Sequence, residues 1–186
     1  MRSVRAYVGL GANLGDRAAT LAAAVRALED IPGLHVAGVS RLYATRPVGP
    51  PGQPGYLNAV AALDVRLPGT VPDAAAALLR TLKDLEVRFG RTLRARWAPR
   101  ELDLDLLVFG RQAFSLAEPP LTVPHPLARQ RLFVLAPLRD LAPGLRPPGW
   151  GETVERAYRR QLAAEGSDAA WPTGAWDPRA GRWSRG

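Results

Sequence analysis

The 186-residue sequence predicts an α+β fold, a ferredoxin-like antiparallel sheet with packed helices. Apolar residues alternate in some segments and recur at helical spacing in others, in the order strand, helix, strand, strand, helix, strand. Glycine and proline stand between these segments, where they end helices and form turns. This order is that of the split βαβ arrangement, in which helices pack on one face of the sheet.

The first predicted unit is a strand at residues 4–10, followed by a turn and a helix. Asp16 closes the turn, and an aspartate side chain at this position can cap the helix N-terminus. The helix is predicted by apolar residues at helical spacing, Leu21, Val25 and Leu28. Pro32 and Gly33 end the helix, because neither residue continues one well.

The second unit begins with alternation over residues 34–43, which predicts a strand. Residues 46–55 are rich in proline and glycine, and they predict a long loop of the kind that often carries function. A third strand is expected at 56–67. The next helix is predicted to begin near Pro72, since proline suits the first helical turn. An apolar stripe runs along it, and Gly90 is the expected stop. The residues of the stripe are Leu78, Leu82, Leu85 and Phe89.

The rest of the chain predicts shorter elements. They are, in order, a basic loop at 91–99, a fourth strand at 102–109, a turn at 110–111, an extended piece at 121–123, mixed signals at 129–141 and a last helix at 152–164. We expect residues 1–165 to form a single domain, a three-layer α/β/α sandwich. Residues 166–186 show no periodicity and predict a loosely held tail.

The composition excludes several classes of site. With no cysteine, the chain has no disulfide, thiolate zinc site or cysteine nucleophile. No apolar run approaches the roughly 20 residues of a membrane-spanning helix, and the N-terminal residues do not predict a signal peptide, so we expect a cytoplasmic protein. The net charge of +8 suits nucleic acid, membrane phosphate or a polyphosphate ligand, and it does not choose among them.

The most informative segment is 96–109, an apolar run that holds two carboxylates. Residues i and i+2 of a strand point to one face, so Asp103 and Asp105 would stand side by side, with leucines on the other face. Carboxylates so placed repel each other unless a cation compensates them. Mg2+ is usually held by one or two carboxylates together with substrate phosphates. Arginines upstream would attract those phosphates, and they are Arg91, Arg94, Arg96 and Arg100. The alternative is a half-exposed strand with a polar outer face.

A glycine motif after the first strand has two interpretations. Gly9, Gly11 and Gly15 lie between a strand and a helix, as in a dinucleotide-binding turn. That fingerprint needs a third glycine where Leu14 stands, and no parallel βαβ pattern supports it. A tight turn is therefore favoured.

The segments beside the Pro-rich loop, residues 43–49 and 56–58, also have two interpretations. They are either ordinary loop or part of a pocket for a flat heterocycle, in which amide and backbone groups meet the ring edge. Trp97 and Phe133 could then supply the two stacking faces.

His125 stands shortly before Arg129 and Arg131. A lone histidine is more often structural than catalytic, and the arginines could be a solvated face. Beside a phosphate site, both residue types would be natural ligands.

Four motifs together resemble a known family. They are Gly-Leu-Gly-Ala-Asn-Leu-Gly-Asp at 9–16, the stretch from Gly49-Pro50 to Tyr56-Leu57-Asn58-Ala59, Arg-Trp-Ala-Pro-Arg-Glu-Leu-Asp-Leu-Asp-Leu-Leu at 96–107, and Leu-Thr-Val-Pro-His-Pro at 121–126. In this order they resemble 6-hydroxymethyl-7,8-dihydropterin pyrophosphokinase of folate biosynthesis. The resemblance covers roughly residues 4–145.

The resemblance implies a reaction and its substrates. Mg-ATP would donate its β,γ-pyrophosphoryl group to the hydroxymethyl oxygen of the pterin and release AMP. Asp103 and Asp105 match the pair that binds two Mg2+ ions, and they are expected to act in catalysis with Arg91 and Arg100. The loops at 44–55 and 90–100 would close over both substrates and exclude water.

The resemblance also implies two sets of binding residues. Those of the pterin region are Thr45, Pro47, Val48, Tyr56, Asn58, Trp97 and Phe133. Those of the ATP region are Lys83, Glu86, Arg91, Arg94, Trp97, Arg100, Leu106, Thr122, His125 and Arg131. The expected partners are these small molecules only, with no nucleic acid and no membrane, and the expected state is a monomer.

Two other functions stay open on the residues alone. One is a different two-metal nucleotidyl- or phosphoryltransferase that uses the same aspartates. The other is an RNA-binding module, which a ferredoxin-like sheet, basic charge and aromatic residues also suit. That second reading lacks a Gly-Phe/Tyr-rich strand of the RNP type, and paired carboxylates would repel phosphates without a metal.

Overall fold

A computed structural model describes residues 3–45, 55–66, 68–90 and 100–185. Its elements, in chain order, are β1 Val4–Ala12, α1 Arg17–Glu29, β2 Leu34–Val39, β3 Leu42–Thr45, β4 Tyr56–Val65, α2 Val71–Arg88, β5 Asp103–Phe109, β6 Phe114–Leu116, β7 Leu121–Val123, a 3-10 helix Ala128–Gln130, α3 Leu132–Leu141, α4 Val154–Glu165, β8 Ala170–Asp177 and β9 Arg182–Arg185. The predicted loops at 46–54 and 91–99 lie outside the described residues.

The main sheet is antiparallel, as predicted. Its seven strands run in the order β5-β1-β4-β3-β8-β9, and β2 pairs with β4 beside β3. Every strand pairing in it is antiparallel. Strands β6 and β7 form a separate two-stranded sheet. Strands β1 and β4 lie inside the sheet, and residues of both are buried on each of its two faces.

Helix residues are buried on both faces of this sheet, so the split βαβ arrangement with helices on one face alone does not describe it. On the first face, α1 and α2 pack against residues such as Val8, Leu63 and Leu104. On the second face, α3 and α4 pack against Tyr7 and Val60. The reason is that the chain after β5 supplies two more helices with apolar sides, which cover the apolar residues of the second face.

The helix starts follow from capping groups. The Asp16 side chain accepts a hydrogen bond from the Ala19 backbone N–H at 3.1 Å, which confirms the predicted cap of α1. At α2, Thr70 and Asp73 form a capping box in which each side chain bonds the other's backbone N–H. Gly90 follows α2 with φ +91°, a conformation that favours glycine at a helix end.

The predicted strand at 34–43 is divided into β2 and β3, which both pair with β4. Ser40 lies at the division. Its backbone N–H donates to the Val60 carbonyl, and its hydroxyl accepts from the Val60 N–H, both at 2.9 Å. The buried backbone groups of β4 are therefore satisfied where the register shifts.

The predicted loosely held tail is also corrected. Strand β8 pairs with β3, and β9 pairs with β8, so residues 170–185 extend the main sheet. Trp176 and Trp183 pack edge to face, with ring centroids 4.7 Å apart, against the first-face core. The contact between the two rings joins the strands of the hairpin, and their packing on the core holds the hairpin to the rest of the protein. Whether residues 1–165 form a domain without it stays a prediction.

Among the described residues, no helix has both the length and the apolar character needed to cross a membrane.

We predict that Leu85→Ala destabilises the protein far more than Val87→Ala on the same helix. Leu85 is 1% exposed in the first-face core and Val87 is 65% exposed. We expect Leu85→Ala to lower the free energy of unfolding by about 2–5 kcal/mol through lost burial and a cavity, and Val87→Ala to change it by less than about 0.5 kcal/mol. Urea unfolding with an unchanged m-value measures both. Equal losses would contradict the packing of α2.

Candidate functional site

The two aspartates of β5 lie side by side on one face of the sheet, as the sequence predicts. Leu104 and Leu106, which alternate with them, are buried against the first-face core. The side chains of Asp103 and Asp105 keep 28% and 40% of their exposure. They therefore point to the second face, at the end of β5 where it remains open to solvent.

The strand beside the aspartates carries no side chains opposite them. In the pairing of β1 with β5, Gly9 lies opposite Asp105 and Gly11 lies opposite Asp103. Directly opposed residues share a face of the sheet, so both glycines leave space in front of the carboxylates. We call the surface formed by Gly9, Gly11, Asn58, Asp103 and Asp105 the site face.

This arrangement corrects the interpretation of the glycine motif. Gly9 and Gly11 belong to β1 and not to a tight turn, whereas Gly15, with φ +59°, does lie in the turn before α1. The strand that holds Gly9 has antiparallel neighbours on both sides. The parallel βαβ unit of a dinucleotide fold is therefore absent from this part of the described structure.

The outer edge of β5 is closed by side chains of α2. The carboxylate Oε1 of Glu86 accepts from the Leu104 N–H at 2.7 Å, and Lys83 Nζ donates to the Leu104 carbonyl at 2.9 Å. Lys83 also donates to Glu86 at 2.8 Å. Because β5 is an edge strand, these bonds satisfy backbone groups that another strand would otherwise pair. They also fix the strand that holds the two aspartates.

Positive side chains flank the aspartate pair. Arg100 Nη1 donates to Asp103 Oδ1 at 2.6 Å, and Lys83 Nζ lies 4.0 Å from Asp105 Oδ1. Asn13 holds the backbone of Arg100. Its side-chain oxygen Oδ1 accepts from the Arg100 backbone N–H at 2.7 Å, and its backbone N–H donates to the Arg100 carbonyl at 3.1 Å. Asn13 therefore positions Arg100, a role that the sequence analysis missed.

His125 lies beside β5, and Arg131 follows it at the start of α3. The backbone N–H of His125 donates to the Leu107 carbonyl of β5 at 2.8 Å. Burial is the main cause that lowers the pKa of His125; Arg131 and Lys83 lower it further, and Asp105 and Asp103 oppose them. His125 therefore lies within electrostatic range of two positive and two negative side chains.

A second polar pair lies farther along the site face. Asn58 and Thr45 are both 7% exposed, and Asn58 Nδ2 donates to Thr45 Oγ1 at 3.1 Å. Asn58 lies opposite Gly11 in the pairing of β1 with β4. One row across the sheet therefore runs from Asp103 through Gly11 to Asn58.

Two predicted aromatic residues lie on β4 and at the start of α3. Tyr56 stands two residues before Asn58 on β4; burial is the main cause that raises its pKa, while Arg100 lowers it and Asp103 raises it. Phe133 is half-buried at the start of α3, with the Arg131 guanidinium 5.6 Å from its ring centroid. The site thus has a charged side at β5 and an aromatic and amide side at β4 and α3.

The donor set suits Mg2+ more than a metal that needs several protein ligands. Within the described ranges, no three His, Asp or Glu side chains come together to hold a metal. Two partly exposed carboxylates beside glycines fit an ion that takes one or two carboxylates and completes its shell with water and phosphate oxygens.

The other predicted site residues divide into three groups. Leu106 turns its side chain into the core, so only its main chain could face a ligand. Thr122 is exposed on β7, where its hydroxyl lies 3.1 Å from that of Ser115. The remaining ones lie outside the described residues, and they are Pro47, Val48, Arg91, Arg94 and Trp97.

The roles of Gly9, Gly11 and Asn13 were not predicted from the sequence. The signal for the glycines was present, because residues two apart in a strand share a face and G-x-G leaves that face without side chains. The role of Asn13 depends on a contact with Arg100, 87 residues away. No local sequence pattern predicts this contact.

The sequence is similar to proteins of one family. Residues 7–143 match the family model described as 7,8-dihydro-6-hydroxymethylpterin-pyrophosphokinase. The curated 2-amino-4-hydroxy-6-hydroxymethyldihydropteridine pyrophosphokinase of Pseudomonas aeruginosa is 46% identical over 144 residues, 77% of this chain and 84% of that protein. The protein of the same name from Methylorubrum extorquens is 40% identical over 156 residues, 84% of this chain and 92% of that protein.

Solved structures share the fold. An HPPK-DHPS in complex with substrates superposes with a TM-score of 0.70 at 10% identity and covers 100% of this chain. An HPPK-DHPS of Plasmodium falciparum with pteroate gives a TM-score of 0.68 at 14% identity and covers 99% of this chain. The chain spans about half the length of these structures, 50% and 48%.

We predict that His125 titrates below the ordinary histidine pKa of 6.5 in the metal-free protein. Asp105→Asn should lower the pKa further, because it removes a negative charge that favours the imidazolium, and Arg131→Met should raise it. NMR titration of the two histidines gives both values, and His35→Gln assigns the signals. A His125 pKa above 6.5, or one that rises in Asp105→Asn, would contradict the described charge arrangement.

Proposed function

The chain belongs to the 7,8-dihydro-6-hydroxymethylpterin-pyrophosphokinase family, and we propose that it transfers pyrophosphate from Mg-ATP to 6-hydroxymethyl-7,8-dihydropterin in folate biosynthesis. In this reaction the hydroxymethyl oxygen forms a bond to the β-phosphorus of ATP. The bond between that phosphorus and the oxygen bridging to the α-phosphorus breaks, and AMP leaves.

The observation that carries the proposal is the row across the site face. Asp103, Gly11 and Asn58 lie on three neighbouring strands in one register. One end of this row, at β5, suits metal-bound phosphates. The other end, at β4, suits a flat ring that forms hydrogen bonds. Phosphoryl transfer depends mainly on positioning and charge stabilisation, and one rigid sheet provides both.

We assign the acceptor side to Asn58, Thr45, Tyr56 and Phe133. An amide offers both a donor and an acceptor, so Asn58 can bond the ring edge while Thr45 fixes its orientation. The Phe133 ring is proposed as a stacking face, and Tyr56 as a wall beside Arg100. Pro47, Val48 and Trp97 complete this set as proposals from the sequence alone.

We assign the phosphate side to the positive groups around β5. Arg100, Lys83 and Arg131 would bind phosphate oxygens, with His125 as a further donor when its ring N–H faces them. Arg91 and Arg94 are proposed from the sequence alone. Glu86 holds Lys83 and Leu104 in place, so we propose that it supports the nucleotide site through them.

Two further residues are proposed to contact the nucleotide. Leu106 would meet the nucleotide through its main chain, because its side chain is buried. Thr122 would do so through its exposed hydroxyl on β7. Arg91 is also proposed to act in catalysis with Arg100, by neutralising charge on the transferred group.

We propose that Asp103 and Asp105 hold the magnesium, as two ions. When bound, Mg2+ neutralises phosphate charge and orients the transferred group. The protein's own contribution is to keep two carboxylates together beside Gly9 and Gly11, where no side chain competes for the space. Arg100 restrains Asp103 until phosphate is present, because its guanidinium is already bonded to that carboxylate.

We further propose that the fold is a three-layer α/β/α sandwich and that the protein acts as a monomer in the cytoplasm. The two core clusters on opposite faces of the sheet support the layers. The monomeric state is proposed from the sequence resemblance alone. The need for ATP supports the compartment.

We predict that Asp103→Ala and Asp105→Ala each lower kcat by about a hundredfold or more, since metal contacts supply several kcal/mol of transition-state stabilisation. The melting temperature should change little, because each change relieves repulsion between the carboxylates and the ion pair of Asp103 with Arg100 is partly exposed. The assay supplies Mg-ATP and the hydroxymethyl dihydropterin and measures AMP. Asp84→Ala, at an exposed position of α2, is the control and should match the wild type.

AMP as the product identifies pyrophosphoryl transfer, whereas ADP would identify ordinary kinase chemistry and refute the proposed function. Full activity in either aspartate variant would refute the metal assignment.

A further inference from the structure

The strand that holds Thr45 is short and depends on its neighbours. Strand β3 has four residues, and its inner edge pairs with β4, where Tyr43 lies opposite Asn58 and Thr45 opposite Tyr56. Its outer edge pairs with β8, where Thr45 lies opposite Ala170. Thr45 is therefore fixed between β4, which carries its hydrogen-bond partner Asn58, and the C-terminal hairpin of β8 and β9.

The hairpin is fastened to the body of the protein at its far end. Trp183 Nε1 donates to the Ser40 carbonyl at 2.9 Å, at the division between β2 and β3. Arg26 of α1 donates to the Gly181 carbonyl at 2.7 Å. These contacts set the distance between the hairpin and the start of β3. The pairing of β8 with β3 sets the position of the end of β3.

The face of β3 is held independently of the hairpin. The Tyr43 hydroxyl donates to Asp140 of α3 at 3.0 Å, and Arg41 Nη2 donates to the same carboxylate at 2.7 Å. Burial and the neighbouring Asp140 raise the pKa of Tyr43, so its hydroxyl stays a donor. Loss of hairpin pairing would therefore leave β3 attached and allow its open edge, including Thr45, to move.

We infer that the C-terminal hairpin, residues 170–185, is a positioning element for the acceptor pocket, which holds Thr45 against Asn58 and so sets the affinity for the pterin. The inference rests on the proposed function. The hairpin lies beyond residues 7–143, the part that matches the family model. Its residues contact neither substrate and act through Thr45.

The arrangement of the sheet separates this effect from the nucleotide site. Strands β4 and β1 lie between β3 and β5, and the positive groups beside the aspartates come from α2, from the segment before β5 and from the segment that enters α3. A displacement of β3 should therefore weaken binding of the pterin more than binding of ATP. A merely stabilising hairpin would not distinguish the two substrates.

The test is Gly174→Ala in the full chain. A Cβ at Gly174 would lie 2.6 Å from the Ser184 carbonyl oxygen, so the backbones of β8 and β9 must move apart. The matched control is Gly144→Ala, where a Cβ meets no atom within 4 Å. KM for each substrate, kcat at saturation with both, and the melting temperature are measured for both variants and the wild type.

We expect Gly174→Ala to raise KM for the pterin by about tenfold and to leave KM for ATP and kcat within about twofold. Gly144→Ala should match the wild type. If Gly174→Ala fails to fold, Trp183→Phe gives a milder change, which keeps an aromatic ring and removes the hydrogen bond to the Ser40 carbonyl. This variant should raise the KM for the pterin by about threefold.

Equal changes in both KM values would overturn the inference, as would a lowered melting temperature with an unchanged pterin KM. An unchanged pterin KM in the folded variant that is measured would overturn it too. Failure of the proposed function is distinguishable, because the wild type would then form no AMP from the two substrates.

Discussion

The site depends on the antiparallel pairing of β5 with β1 in a register that sets Asp103 and Asp105 against Gly11 and Gly9. Strand alternation alone puts the two carboxylates on one face. The glycines opposite them make that face accessible. Since β5 is an edge strand, the register would be weakly held without Glu86 and the other α2 side chain, Lys83, which close its outer edge.

The same sheet links the two substrate sides that we propose. Register across three strands places Asn58 in line with Gly11 and Asp103, so the distance between acceptor and phosphates is set by the sheet itself. Such backbone positioning suits a reaction in which small displacements are costly. We propose that the C-terminal hairpin positions Thr45 in the same way, by pairing with β3 on the outer side, where the sheet would otherwise end.

Local sequence patterns predicted much of this architecture. The periodicity gave the positions of most strands and helices, and the D-x-D spacing placed Asp103 and Asp105 correctly. Features that depend on contacts between distant segments could not be predicted from these local patterns. The position of residues 170–185 in the sheet arises from the pairing of β8 with β3 and from the bond of Trp183 to the Ser40 carbonyl, both of which join segments far apart in the chain. The second pair of helices could not be assigned to a face, because periodicity shows that a helix has an apolar side and not what that side covers.

The most direct test is a crystal structure with Mn2+ in place of Mg2+, an unreactive ATP analogue and the hydroxymethyl dihydropterin. Mn2+ shares the preference for oxygen ligands and its anomalous scattering locates it. Our account predicts metal bound by Asp103 and Asp105, phosphates over Gly9 and Gly11, and the pterin ring beside Asn58. Metal bound away from both aspartates, or a nucleotide held elsewhere on the protein, would contradict it.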